Sequence, residues 1–234
     1  MERIKTGIDG LDDLIEGGLP KGETVLVAGT PGTGKSIMSL QFITNGALKY
    51  GERGIFINLE RDYPKLRDEA IRFGWDLDKL SEEKKILVLC PKIQTEFGED
   101  PLQWFKSTQV SEAIKEFNPS RIAVDSLTVL IQFSGERGGY RRVVQSLIDT
   151  YAIGCTAMFI HEKEESSLDG MKYTIEEFVA DGIIKLSIIR KGNVFHRGIT
   201  IVKMLGTKHP IDIRPFQIVD GLGVKIDSLK KMDL

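Results

Sequence analysis

Apolar positions along the chain follow two periods. Short, nearly continuous apolar runs at 24–28, 55–59, 86–90, 122–124 and 156–160 have the length and composition of strands covered on both faces. Between them the spacing is helical. Ile37, Leu40, Gln41, Ile43, Ala47 and Leu48 line one side of a predicted helix that stops near Tyr50-Gly51. Asp62 reads as the N-cap of a second helix, with Pro64 in its first turn and Leu66, Ala70 and Phe73 on one face. Helical spacing also fills about 102–117 and 140–153. Strands alternating with helices predict a mainly parallel central sheet with helices on both faces.

The pattern changes in the last third. Residues 182–189 and 194–205 read as strands about the turn Lys191-Gly192-Asn193, a hairpin. A second pair, 212–219 and 223–226, flanks Asp220-Gly221-Leu222-Gly223. The expected fold is α/β, with C-terminal antiparallel strands extending the parallel sheet. No repeat, low-complexity segment or linker divides the chain, so residues 1–234 are expected to form one domain.

Composition narrows the class. At 234 residues, 41% hydrophobic and 28% charged, the chain has the make-up of a soluble globular protein with a large core. A net charge of −2 gives no overall attraction to nucleic acid or membrane, which leaves a local basic patch open. No apolar run approaches the roughly 20 residues that span a bilayer, and Met1-Glu2-Arg3-Ile4-Lys5 lacks the apolar stretch of a signal peptide. Cys90 and Cys155, far apart in apolar segments, read as small buried hydrophobes of a reducing compartment. A cytoplasmic location follows as the expectation.

The chemistry is carried by Gly29-Thr30-Pro31-Gly32-Thr33-Gly34-Lys35-Ser36, a match to G-x-x-x-x-G-K-[ST] between a predicted strand and a predicted helix. Its glycines let backbone N–H groups approach phosphate oxygens, and the helix start offers unpaired N–H groups and a positive dipole end. The backbone from Gly29 through Ile37 is thus expected to cradle a triphosphate. Lys35 supplies a compact charge to the β- and γ-phosphates, and the Ser36 hydroxyl is expected on Mg2+. Arg121-Ile122-Ala123-Val124-Asp125-Ser126 ends an apolar strand in an aspartate, at the carboxyl edge where ligands of α/β folds gather. Asp125 is the expected second holder of Mg2+. Glu60 ends the run 55–59, expected beside the phosphate-loop strand. It is either the group that activates water or a solvated strand-end glutamate.

The sequence resembles the KaiC/RecA/RadA superfamily, and most of all short single-domain KaiC-like ATPases of archaea. The resemblance runs nearly end to end. It begins at Lys5-Thr6-Gly7-Ile8-Asp9-Gly10-Leu11-Asp12 and Gly17-Gly18-Leu19-Pro20-Lys21-Gly22. It continues at Phe73-Gly74-Trp75-Asp76-Leu77 and at Glu176-Glu177-Phe178-Val179-Ala180-Asp181-Gly182. It closes at Lys203-Met204-Leu205-Gly206-Thr207-Lys208-His209 and Arg214-Pro215-Phe216. This resemblance implies a RecA-like P-loop NTPase that binds ATP or ADP with Mg2+ and assembles into a hexameric ring with nucleotide between subunits. It puts Glu60 on the catalytic glutamate position. It puts Lys203, Thr207 and His209 on residues that reach the nucleotide across the subunit boundary.

Two positions depart from the family. Glu60-Arg61 stands where paired glutamates are usual, and Leu205 where an arginine is usual. Loss of a trans cation implies slow hydrolysis, unless Arg61 or Lys208 replaces the charge. Of the two stretches expected to line a ring's pore, 134–142 is basic with one aromatic and 162–172 is acidic overall. An acidic pore loop repels DNA, and the length is not expected to accommodate an extra N-terminal DNA-binding domain of the RadA kind. The ranking is therefore a regulatory or assembly ATPase read by an unknown partner protein. A DNA-binding recombination ATPase comes second, and an autophosphorylating kinase using Ser166 or Ser167 third. His161, ending the strand before the acidic stretch, is either a γ-phosphate sensor or a structural histidine.

Overall fold

The computed structural model describes residues 1–91, 104, 107–133, 154–162 and 179–232. Its framework is a nine-stranded sheet with the phosphate-loop strand inside it. The strands are β3 (Thr24–Gly29), β4 (Gly54–Asn58), β5 (Ile86–Leu89), β6 (Arg121–Asp125) and β7 (Thr156–Glu162), then β8 (Gly182–Lys191), β9 (Val194–Met204), β10 (Arg214–Val219) and β11 (Gly223–Ile226). They lie in the order β11-β10-β9-β8-β3-β7-β6-β4-β5. From β8 to β5 neighbours are parallel. From β8 to β11 they are antiparallel. This is a RecA-like fold, with the parallel core and the antiparallel C-terminal extension where the hydrophobic pattern put them.

One expected adjacency is wrong. β4 does not lie beside β3, because β7 and β6 stand between them. All of these strands are apolar on both faces, so their composition carries no information on order. The connecting helix decides it. Helix α2 (Lys35–Tyr50) packs over β6 and β4 and delivers the chain past two positions that later strands fill.

Helices cover both faces. On one side α2, α3 (Tyr63–Ile71) and α4 (Leu77–Glu82) pack on Val25, Val27, Phe56 and Ile184, and the core continues under Phe216 and Val224 of β10 and β11. On the other, α5 (Thr108–Phe117) and α6 (Leu127–Phe133) contribute Ile114, Leu127 and Leu130 against Leu26, Ile55 and Val124. Val25 and Leu26 belong to opposite cores, as the period of two requires. Asp62 has the extended backbone of an N-cap, but its side chain makes no capping hydrogen bond and instead meets Lys65 at 3.6 Å.

The N-terminal segment is strapped onto this frame. β1 (Arg3–Ile4) pairs with β2 (Leu19–Pro20) on either side of the short α1 (Leu11–Leu14). Buried polar groups on α2 hold both chain ends: Asn45 donates to the Gly7 carbonyl at 2.6 Å, and Gln41 exchanges two hydrogen bonds with the Val224 backbone. Arg121 has no exposed surface, pairs with Glu52 at 2.5 Å, and donates to the carbonyls of Lys5, Thr6 and Phe42. The pairing and the three carbonyls satisfy a charge that would otherwise be costly to bury.

Candidate nucleotide site

The loop from Gly29 to Ser36 joins β3 to α2 at the carboxyl edge of the sheet. Two of its glycines cannot be replaced without displacement. A Cβ on Gly29 would lie 2.5 Å from the Leu186 carbonyl oxygen, and Gly34 caps α2 at φ +103° with the Ile218 side chain 3.0 Å from where its Cβ would be. Thr33 folds the loop on itself by donating to the Thr30 carbonyl at 2.8 Å. Pro31 and Gly32 are exposed at the mouth, and Ile37 packs against the core behind it.

Lys35 is only 5% exposed. Its Nζ donates to the Thr30 carbonyl at 2.9 Å and lies 3.7 Å from Glu162 at the end of β7. Burial pushes its pKa down, and Glu162, Asp125 and Glu60 oppose that shift by favouring the charged form. A carboxylate beside a buried ammonium in a glycine-rich loop occupies the place a phosphate charge can take.

Asp125 ends β6 with 1% exposure. Its carboxyl is pushed up to about 6, chiefly by burial and also by the charge of Glu60, against the lowering effects of a hydrogen bond with Ser36 and the charges of Arg61 and Lys35. Its Oδ2 makes no hydrogen bond, and Arg61 Nη2 lies 3.6 Å from it. An unsatisfied, buried carboxylate oxygen beside the Ser36 hydroxyl fits Mg2+, which is commonly held by one or two protein oxygens together with phosphate and water. Among the described residues no cluster of three or more His, Cys, Asp or Glu could hold a metal by itself.

Glu60 reaches the same cluster by a different route from the expected one. β4 pairs with β6, placing Asn58 opposite Asp125, and Leu59 N donates to the Asp125 carbonyl at 2.6 Å. Buried Asn58 then turns the chain by accepting from the amides of Glu60 at 2.9 Å and Arg61 at 2.7 Å. Ser126 donates to the exposed Glu60 carboxylate, and Arg61 pairs with Glu69. Glu60, Arg61, Asp125, Ser36 and Lys35 therefore share one electrostatic neighbourhood.

Lys203, Thr207 and His209 do not join it. Gly29 pairs with Leu186, and Leu186 with Ile199, so β9 runs away from the loop as it approaches Met204. Lys203 is level with Leu26, about 10 Å down the strand from Gly29. Thr207, folded back on the Met204 carbonyl, lies beyond it toward the opposite edge of the sheet. Lys203 Nζ donates to the Ala180 carbonyl at 2.6 Å, Thr207 accepts from Arg3 at 3.0 Å, and His209 Nδ1 is 3.2 Å from the Pro210 carbonyl oxygen. Buried His161 sits level with Ala28, one residue short of the loop. Ser166, Ser167 and most of both expected pore stretches lie outside the described residues.

Six residues at the site went unread in the sequence. Glu162, Asn58 and Ser126 come to the site through strand pairing, which no local pattern encodes. Arg197 donates to the Gly32 carbonyl at 3.5 Å, and Phe216 and Ile218 of β10 lie beside Gly34. Glu162 alone had a signal, as a carboxylate ending an apolar run at the same edge as Asp125.

Comparison with known proteins agrees with the fold. The chain matches the ATPase family KaiC over residues 4–231. It is 34% identical to the circadian clock oscillator protein KaiC of Synechococcus elongatus across 99% of this chain and 45% of the relative. For the protein of the same name from Nostoc the identity is 34% across 100% and 46%. The chain thus spans about half the length of the curated relatives it matches. Its structure is similar to that of a KaiC-like protein from the hyperthermophilic archaeon Pyrococcus horikoshii OT3, with a TM-score of 0.81 and 34% identity over 96% of this chain and 98% of that one.

Proposed function

The chain belongs to the KaiC family of ATPases, and from that membership we propose a Mg2+-dependent ATP hydrolase that turns over slowly, works in a ring and serves as a regulatory or assembly switch. The observation that carries this reading is the buried pair of Lys35 and Asp125, one cation and one under-satisfied carboxylate, flanking a glycine loop.

Triphosphate enters against the loop amides and the start of α2. Lys35 exchanges the Glu162 carboxylate for phosphate oxygens and holds charge on the β- and γ-phosphates. The Ser36 hydroxyl and Asp125 Oδ2 would hold Mg2+, which supplies positive charge to the transferring phosphoryl group. Glu60 is solvent-exposed, so water reaches it, and Ser126 orients its carboxylate to accept a proton from the attacking water. Phe216 and Ile218 offer an apolar surface beside Gly34.

Lys203, Thr207 and His209 act on the neighbouring subunit's nucleotide. Support comes from Lys203 and Thr207, which lie down the sheet from their own loop and suit a head-to-tail ring. Slow turnover is supported by two substitutions: Arg61, beside Asp125, in place of a second carboxylate, and half-exposed Leu205 in place of an arginine. The output is a change in the ring read by a partner protein. Nucleic-acid binding is less favoured because the overall charge is slightly negative.

Mixing tests the arrangement. Lys35→Ala should lack a working loop, and Lys203→Ala should lack the donated cation, so each is inactive by itself. Their mixture should hydrolyse ATP at interfaces pairing a sound loop with a sound segment. A mixture as inactive as its parts, although the two variants co-assemble, would rule out the shared site.

A further inference from the structure

The N-terminal arginine is built into the segment that this reading sends across the subunit boundary. Arg3 is largely buried, its side chain 16% exposed. Its guanidinium spans two turns distant in sequence. Three hydrogen bonds go to the turn after α1: the carbonyls of Ile15 and Gly18, at 3.4 and 3.1 Å, and the Glu16 carboxylate at 2.8 Å. The other two go to the turn after β9: the Gly206 carbonyl at 3.3 Å and the Thr207 hydroxyl at 3.0 Å.

Without it the second turn keeps two backbone hydrogen bonds, Thr207 N to the Met204 carbonyl at 3.2 Å and Leu205 N to the Asp181 carbonyl at 3.0 Å. Gly206 has φ +61°, and Leu205 is 50% exposed. Arg3 is itself fixed by β1, which pairs with β2 and leads through Gly22 into β3. A planar fork with five donors can join two turns in one geometry, which a flexible ammonium cannot.

The contact also decides what the Thr207 hydroxyl can do. A hydroxyl has one hydrogen and two lone pairs. With Arg3 donating to a lone pair, the hydrogen remains free to donate, and at rest it goes to the Leu205 carbonyl at 3.3 Å. Turning that hydrogen to a phosphate oxygen on a neighbouring subunit costs one long hydrogen bond and leaves the guanidinium contact intact.

We infer that Arg3 is a positioning residue for hydrolysis at the adjacent subunit's nucleotide: its guanidinium holds Thr207 and the turn after β9 in the geometry that reaches the neighbour's phosphates. This rests on the trans assignment above and adds a residue that never touches nucleotide.

Complementation tests it separately from that assignment. Arg3→Ala should lower kcat by about ten- to a hundredfold, the cost of misplacing a catalytic group by about an ångström. KM for ATP should change little, because the loop that binds ATP in the same subunit is untouched. Arg3→Lys should fall between the two, keeping a Glu16 ion pair without the fork, and it replaces Arg3→Ala if the latter fails to fold. Mixed with Lys35→Ala, the Arg3 variant should regain hydrolysis at roughly a quarter of the sites, where its own sound loop meets the partner's sound segment. The proposal is overturned if Arg3→Ala alone hydrolyses at the wild-type rate. It is also overturned if Arg3→Ala is slow and not rescued while Lys203→Ala is, since Arg3 would then act within its own subunit and the trans site would stand. Failure of both mixtures removes the trans site and Arg3's role together.

Discussion

Replacing Asp125 with asparagine should stabilise the protein in the absence of nucleotide while destroying its chemistry. The ionised carboxylate sits at 1% exposure with one oxygen lacking a hydrogen bond. Burial moves its pKa from 3.8 to about 6, so the fold binds its proton about a hundredfold more tightly than the unfolded chain, worth about 3 kcal/mol. The sign follows from that direction. The contribution is fully present below the unfolded value near 4 and is lost as pH rises through about 6, so near neutral pH the charged group works against the fold. Asparagine has nearly the same shape and carries no charge to desolvate. At about pH 7.5 the variant should melt several degrees higher, since about 2–4 °C accompanies each kcal/mol in a chain of this size. The gap should shrink to about half near pH 5, close below about pH 4, and reverse with Mg-ATP, which stabilises the wild type through the carboxylate. Thermal melts across that pH range, with and without Mg-ATP, measure all three. A variant less stable than wild type at pH 7.5 without nucleotide would refute the claim that this carboxylate is held under-satisfied for a cation.

Other consequences can be checked independently. Lys35→Ala should reduce ATP hydrolysis by at least about a hundredfold in a phosphate-release assay, because it removes charge where the transition state develops it. Arg61→Ala should tighten Mg2+ binding by about five- to thirtyfold in a titration with a fluorescent ATP analogue. A unit charge 3.6 Å from Asp125 is worth about 4–5 kcal/mol at an effective dielectric near 20, cut to about 1–2 by solvent around the partly exposed guanidinium. If Arg61 instead supplies the charge missing at Leu205, single-turnover hydrolysis falls and Mg2+ affinity stays put. Arg121→Met should cost about 3 kcal/mol in denaturant unfolding, since it leaves Glu52 and three carbonyls without their donor.

Much of this was legible in the sequence, for identifiable reasons. The loop from Gly29 to Ser36 is local, and its chemistry depends on contiguous residues. The change of period after residue 182 likewise marks the antiparallel strands directly. What could not be read depends on strand order. Apolar strands look alike whichever neighbour they take, so the pattern sets Glu60 beside β3, whereas it reaches the site through β6. Glu162 and Asn58 become part of the site only once β7 is set against β3 and β4 against β6. Arg121 reads as the charged start of a strand, and nothing local shows that it is buried beneath Phe42 and Tyr50. Arg3 is bound to Thr207 across almost the whole chain, a contact that only the folded N-terminal ribbon creates.

In the proposed ring, one subunit's phosphate loop is completed by another subunit's turn after β9. Light-scattering mass with and without Mg-ATP checks this: an assembly of several 26.2 kDa subunits is expected whenever ATP is being hydrolysed. Hydrolysis by a species of single-subunit mass would contradict it.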